Sequence, residues 1–528
     1  MQAPSQYPEE GTVDSCVKTN GAALDNVNTR VVQGRTIDAI RRFLFVFAAK
    51  CYTGSVNKST QTFFFYDLET SGLDPRKHRI MQFAGQRTDM DLHPIGEPVN
   101  ILVSLTEEVL PDPSAILVTG ITPQKTREEG YSEAEFLRLL HEQVLTPGTI
   151  IVGFNSVRFD DEFMRYTLYR NFYDPYEWHW QDQRSRWDLL DVIRMTRALR
   201  PEGIKWPFDA TGSPTNRLEL ITAKNGLDHA QAHDALSDVL ALIAVAKLVR
   251  DKQPKLFDYL LGLRDKKEIA KLISLDDPQP FVYASGRYPK DNHHTTVAFP
   301  IAPGSKPGSV IVYDLRHDPA HFADKSIKEL KDLRFATREK RQEEGFVPLA
   351  AKELAYNRCP AVAPLGVLSD EAQQRLQLEL ETIEANLKKL RRSDLPDRLR
   401  EVFARDNDFA KTTDVDGQLY NGFVGDKDKP KMSVIRAADH MSLADFHPEF
   451  NDERLQQLLL RYKARNFPQS LSGDEQTMWE AYRAERITAD LPKFSKELQR
   501  LAASASDNQQ FLLSELQLWA ESIAPVAE

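Results

Sequence analysis

Cysteine is nearly missing from this chain: Cys16, Cys51 and Cys359 are the only three in 528 residues. An odd number at wide separation makes neither a disulfide framework nor a zinc-ligand spacing, which points to a reducing, cytoplasmic setting. Long hydrophobic runs are missing as well. The longest near the start, Phe43 to Ala49, is too short to span a bilayer. It also lies behind more than forty residues that include several acids, which excludes a signal peptide. No membrane association is expected. Nor is there a surplus of positive charge, since the net charge is −10 and the pI is near 5.8. That excludes a globally basic nucleic-acid coat but leaves room for a local basic groove. Repeats and low-complexity tracts are absent too. What is there is 41% hydrophobic and 28% charged, a globular composition in a length that suits two to four domains.

The chain is arranged around Phe63-Phe64-Phe65-Tyr66-Asp67-Leu68-Glu69-Thr70. A run of β-formers ahead of the turn residues Ser71-Gly72 reads as a strand. Side chains alternate between the faces of a strand, so Asp67 and Glu69 share one face at its end. Two carboxylates side by side repel unless a cation lies between them or one stays protonated. Taken alone, the pair also fits an ordinary strand whose acidic end sits in water.

Residues 1–61 read as an N-terminal extension, polar except for one short amphipathic helix through Ile37, Ile40, Phe43, Leu44 and Phe47. They are expected to be disordered, or to precede a true start at a codon such as that of Val56. Residues 62–252 alternate strands and helices, the pattern of an α/β domain. Strands are expected at 62–68, 80–88, 99–104 and 149–155. A capping box at Ser132 to Glu135 opens a helix through Val144. Further helices are expected at 160–172, 187–199, 217–225 and 233–250, then one near 255–273. Short β-rich pieces between Gly and Pro clusters mark a second domain, 253–406, beginning with Phe281-Val282-Tyr283, Thr295 to Phe299 and Val310 to Tyr313. From about 323 the chain reads as mostly charged and helical. A polar break over Arg405 to Gly417 separates an all-helical domain, 412–528.

A third acid, Asp160, follows the strand ending at Asn155. Ligands of α/β sheets gather at the carboxyl ends of strands, where Asp67, Glu69 and this turn all lie. Asp160 would equally serve as the favourable first-turn charge of a helix. Next comes His233-Asp234-Ala235-Leu236-Ser237-Asp238, which places a histidine on the entry loop of a long helix and Asp238 about one turn in. Asp74, Asp161, Asp191 and Asp234 are read as non-catalytic.

The order Asp-x-Glu, Asp, His-x4-Asp is far more specific than its parts. It resembles the DEDDh branch of the DnaQ-like 3′–5′ exonucleases, with acids Asp67, Glu69, Asp160 and Asp238 and histidine His233. Four carboxylates without a cationic side chain among them need divalent cations, and hard oxygen ligands suit two Mg²⁺ ions, with Mn²⁺ as a substitute. Such a pair, roughly 4 Å apart, stabilises the attacking and leaving oxygens of an in-line phosphoryl displacement. A histidine with a near-neutral pKa suits the general base.

The resemblance extends to Phe154–Glu162, Tyr169–Tyr176, Ser185–Asp191, Ala198–Ile204, Gln418–Phe423 and Tyr462–Pro468, which are similar to bacterial exonuclease I. It implies a ribonuclease H-like mixed sheet with helices, then an SH3-like β-rich domain with helices, then the helical C-terminal domain, together clasping the strand. It also implies processive removal of nucleotides from the 3′ end of single-stranded DNA as nucleoside 5′-monophosphates, acting in DNA repair and recombination as a monomer. The family's partner is the single-stranded DNA-binding protein, which docks through its acidic C-terminal tail. Arg200 and Tyr259 match tail-binding positions, and Arg217 resembles the family's substrate-contacting arginine. Glu69 is placed both to bridge metal and to approach the terminal nucleotide.

Between Phe159 and Trp187 aromatic residues interleave with arginines, the ingredients of a strand-binding path. Most of the aromatics, Phe163, Phe172 and Trp187 among them, are expected to pack in the core. Arg165, Tyr176 and Trp180 are the expected strand contacts. Three other readings use the same residues. A 3′–5′ exoribonuclease would share the metal chemistry, with the 2′-hydroxyl sensed elsewhere. A non-catalytic single-strand binder would not need an intact acidic set, and a proofreading subunit would need a polymerase partner.

Overall fold

The computed structural model describes residues 61–227, 234–404 and 412–525. His233, the helix expected within 37–47, the start near Val56 and most of the break at 405–417 lie outside the described residues.

Strand β1 (Thr62–Thr70) is central to the first sheet. It pairs antiparallel with β2 (Ile80–Thr88), which pairs antiparallel with β3 (Val99–Leu102). On its other side it runs parallel to β4 (Thr149–Gly153), followed by β5 (Ser185–Asp188), so the order is β3-β2-β1-β4-β5. The aromatic run explains the centrality of β1. Phe63 and Phe65 face a core shared with Trp187 and Leu189, while Phe64, Tyr66 and Leu68 face a second core with Phe83 and Phe136. Both faces are buried, and a strand with no wet face belongs in the middle. Gly85 of β2 makes room for it, since a Cβ there would lie 2.3 Å from the Phe64 ring.

Four helices carry the argument: α1 (Asp160–Arg170), α2 (Leu189–Leu199), α3 (Leu218–Asn225) and α4 (Ala235–Lys252). The buried residues of α2 and α4, among them Val192, Ile193, Val239 and Leu242, cover the Phe63–Phe65 face.

The second sheet is antiparallel: β6 (Phe281–Ala284), β7 (Thr295–Pro303), β8 (Ser309–Asp314), β9 (Ala351–Ala355) and β10 (Ala361–Pro364), in the order β10-β6-β7-β8-β9. Its core is continuous with that of the first sheet, since Val282, Val312 and Tyr313 belong to the cluster that holds Phe63 and Phe65. The C-terminal part is helical, led by α5 (Glu453–Asn466), α6 (Gly473–Ala502) and α7 (Asp507–Ile523). Leu455, Leu458 and Tyr462 of α5 pack on Tyr166, Tyr169 and Phe172, in and just after α1.

Several local expectations are corrected. The helix expected from 187 begins at Leu189, and Ser185–Asp188 is the strand β5. The helical reading beyond 323 missed β9 and β10. Ala351-Lys352-Glu353-Leu354-Ala355 is made of good helix formers, yet it pairs along β8, and tertiary pairing overrides propensity. The helix near 255–273 is two, Pro254–Gly262 and Lys266–Leu272. The helix opened by Ser132 turns into a single π-helical turn at Leu140–Val144. Among the described residues, no helix is long and apolar enough to cross a membrane.

Candidate active site

Alternation along β1 sends Asp67 and Glu69 to the face covered by α4, where Asp238 stands in the first turn. Asp234 caps that helix by accepting from the Ser237 amide at 3.0 Å. One carboxylate oxygen each from Asp67, Glu69 and Asp238 lie within 4.8 Å of one another. Asp160, the first residue of α1, is buried and stands outside that group of three, though Asp67 raises its pKa.

Burial and mutual repulsion govern these acids. Burial, then the neighbouring Asp238, pushes the Asp67 carboxyl far above its ordinary range. Burial, then Asp67, Asp238 and Asp234, pushes Glu69 up to about 9. Asp160 is raised by burial, then by Asp67. After burial, the charges that move these groups most are other carboxylates. Clustered hard oxygen donors of this kind fit a divalent metal ion.

The turn between β4 and α1 brings Asp160 to the site, and Asp188 fixes that turn. Its carboxylate accepts from the backbone amides of Asn155 at 2.9 Å, Val157 at 3.2 Å and Leu190 at 3.0 Å. Sequence reasoning missed Asp188 because it reads as part of a helix; Asp ahead of Leu-Leu was the available N-cap signal. The acids read as non-catalytic each have other partners. Asp161 accepts from Tyr66 Oη at 2.9 Å and pairs with Arg186. Asp191 pairs with Arg194 at 2.5 Å and Asp74 with Arg76 at 2.7 Å.

Asp67 and Asp238 open onto a cleft of about 480 Å³. Asn155 and Phe154 line it from the β4 turn, Arg194 from α2, Arg217 from the start of α3, and Lys290 and His294 from the second sheet's domain. Arg217 is exposed and pairs with Glu219. Arg165 is buried on α1, pairing with Glu162 at 2.6 Å, and its guanidinium lies 5.6 Å from the centre of the Tyr176 ring. Tyr176 in turn meets Phe423 of the C-terminal part at 5.8 Å between ring centres. Phe423 is 86% exposed, a feature that the linear sequence does not carry. Trp180 is 56% exposed, whereas Phe163, Phe172 and Trp187 are core. Away from the cleft residues, Arg200 donates to the Val367 carbonyl at 3.2 Å, and Tyr259 is 37% exposed on Pro254–Gly262.

A mixed sheet with clustered acids at the end of its central strand defines a class of metal-dependent nuclease, and residues 64–246 match the family model described as Exonuclease. Residues 264–405 match the Exonuclease I SH3-like domain, and 413–523 the Exonuclease I C-terminal domain. Exodeoxyribonuclease I of Haemophilus influenzae is 40% identical over 453 residues, 85% of this chain and 96% of that protein. Escherichia coli exonuclease I in complex with a dA16 oligonucleotide superposes with a TM-score of 0.84 at 38% identity, over 88% of this chain and 100% of that one. The zinc-bound form of the E. coli enzyme with single-stranded DNA gives a TM-score of 0.83, also at 38% identity, over 88% of this chain and 99% of that one. The chain belongs to the exodeoxyribonuclease I family.

Proposed function

We propose that this protein is a metal-dependent exonuclease that removes nucleotides from the 3′ end of single-stranded DNA, processively and as nucleoside 5′-monophosphates, in DNA repair and recombination. The observation that carries the reading is the juxtaposition of Asp67, Glu69 and Asp238, the first and last of which line a cleft together with Arg194 and Arg217. Relatives solved with oligonucleotides and with zinc support it.

In this reading Asp67, Glu69, Asp238 and Asp160 would hold two Mg²⁺ ions, with Mn²⁺ as a substitute. Bound metal offsets charge that builds on the attacking and leaving oxygens. His233, a few residues ahead of Asp238, takes the proton of the attacking water. Glu69 and Arg217 contact the terminal nucleotide, while Arg165, Tyr176 and Trp180 guide the strand behind it. Each base stacked on an exposed aromatic contributes about 1–3 kcal/mol. Arg200 and Tyr259 bind the acidic tail of single-stranded DNA-binding protein. The working form is a cytoplasmic monomer, with its domains at 62–252, 253–406 and 412–528.

The test offers purified protein 5′-labelled single-stranded DNA, duplex DNA and RNA, with Mg²⁺ and then with EDTA. Shortening of single-stranded DNA from its 3′ end, only with metal, is expected. Asp67→Ala and His233→Ala, folded by circular dichroism, should lose at least 100-fold in kcat, since general base catalysis alone contributes about 10²–10⁴-fold. Preference for RNA, or wild-type rates in either variant, would refute the assignment.

A further inference from the structure

The cleft that holds the acids is not built by the nuclease sheet alone. Lys290 and His294 reach it from the turn between β6 and β7 of the SH3-like domain. That turn is firmly made. The His294 amide donates to the Pro289 carbonyl at 3.0 Å, and the His293 amide to the Lys290 carbonyl at 2.7 Å. The Nδ1 of His294 lies 2.8 Å from the Tyr288 carbonyl, which can only accept, so this nitrogen carries the proton. His293 and His294 both adopt the left-handed conformation, at φ 51° and 57°. Two successive non-glycine residues there are uncommon, and such backbone persists only where its surroundings hold it. The result presents Lys290 to the cleft at a fixed place.

The cations on the cleft wall are each set against an acid of the protein: Arg217 with Glu219, Arg194 with Asp191, and Lys290 with Asp209. The Lys290 pair is the loosest, with Nζ 3.5 Å from the Asp209 carboxylate and the lysine side chain 58% exposed. A long, loosely held ammonium on the same cleft as the carboxylates of the nuclease strand can turn to an anion that enters it. The volume suits a ligand of nucleotide size.

We infer that Lys290 of the SH3-like domain contacts a backbone phosphate of the DNA strand seated in the nuclease cleft. This rests on the proposed function and adds to it one named residue, outside the acidic site, that takes a phosphate of the strand. His294 is a positioning residue for the turn. The competing role is purely structural, an interdomain ion pair between Lys290 and Asp209, and the two roles predict opposite effects of removing the acid.

The experiment measures the dissociation constant of a 5′-labelled oligodeoxythymidine in EDTA, where no cleavage occurs, across a salt series. The slope of log K against log salt falls by about 0.7 for each phosphate of a single strand that the protein no longer neutralises. Lys290→Gln is expected to lower the slope by about that amount, and Lys290→Arg to keep it. Asp209→Asn should keep the slope and bind as tightly as wild type or tighter. An unchanged slope in Lys290→Gln, or equal weakening by Lys290→Gln and Asp209→Asn, would overturn the inference. A wild-type protein that binds the oligonucleotide but never shortens it with Mg²⁺ would sink the broader function and leave the Lys290 comparison readable. One that fails to bind sinks both.

Discussion

Glu69 sits beside Asp67 and Asp238, largely withdrawn from water, and its carboxyl is pushed up to about 9, chiefly by burial. An unfolded chain returns it to the ordinary carboxylate value near 4.5. A carboxyl raised on folding adds stability that is fully present below the unfolded pKa and is lost as pH rises through the folded one. Without metal, the fold should therefore weaken between about pH 4.5 and pH 9. A divalent cation replaces the proton as the partner of these acids, so its stabilising effect should grow over the same range. Thermal melts in EDTA and in Mg²⁺ at pH 6 and pH 8.5 check this. The melting temperature in EDTA should fall with pH, the gap to the Mg²⁺ curve should widen, and Glu69→Gln should narrow it. A gap independent of pH would argue against a shared metal site. Asp67 and Glu69 were legible in the sequence because a run of aromatic β-formers marks the strand and residues two apart on a strand share a face. Lys290 was not, since its place in the cleft depends on how a second domain packs.

Strand β5 shows why some elements stayed illegible. Ser185–Asp188 is four residues long with an arginine at its centre, and no period can be read from so short a segment. Its burial comes from the sheet, where it pairs parallel with β4 and sets Trp187 against Phe63 and Phe257. By contrast β1, β2 and the helices α1 and α4 were readable from aromatic runs, capping residues and apolar faces long enough to show a pattern. The functional consequence of β5 lies in Asp188, whose carboxylate holds the amides of Asn155 and Val157. Asp188→Ala leaves both without that acceptor, at about 1–3 kcal/mol for each buried group left unsatisfied. The turn that carries Asp160 should then loosen. Urea unfolding is expected to show a loss on the order of 2–6 kcal/mol, and kcat should fall more than KM rises. Asp188→Asn, which keeps one oxygen for the amides, should recover part of both. A variant as stable as wild type with full kcat would remove Asp188 from the positioning of Asp160.

Across the whole molecule, the helical C-terminal part is tied to the nuclease sheet by buried charges. Arg79, just ahead of β2, pairs with Glu108 at 3.1 Å and with Asp416 at 3.2 Å. Arg465 of α5 completes the square, 2.9 Å from Glu108 and 2.5 Å from Asp416. All four side chains are at most 2% exposed. Removing one member strands the rest, which typically costs about 3–5 kcal/mol. Despite burial, the arginines hold the Glu108 carboxyl down at about 2 and Asp416 well below the carboxylate range. A carboxyl lowered on folding adds stability above its unfolded pKa and loses it as pH falls through the folded one. The clasp should therefore weaken between about pH 4.5 and pH 2. The same docking brings Tyr420 to Glu162 at 2.5 Å and Phe423 to Tyr176, on either side of Arg165. Asp416→Asn keeps the shape but removes the charge between two arginines. It should lower the unfolding free energy by about 3–5 kcal/mol and flatten the acid limb of the stability curve. If the clasp also keeps the strand seated during successive cleavages, then on long DNA with a competitor trap this variant should release earlier. Its rate on short oligonucleotides should stay near that of wild type, because none of the clasp's four members belongs to the acidic site or lines its cleft. Equal processivity in the two proteins would confine the network to stability.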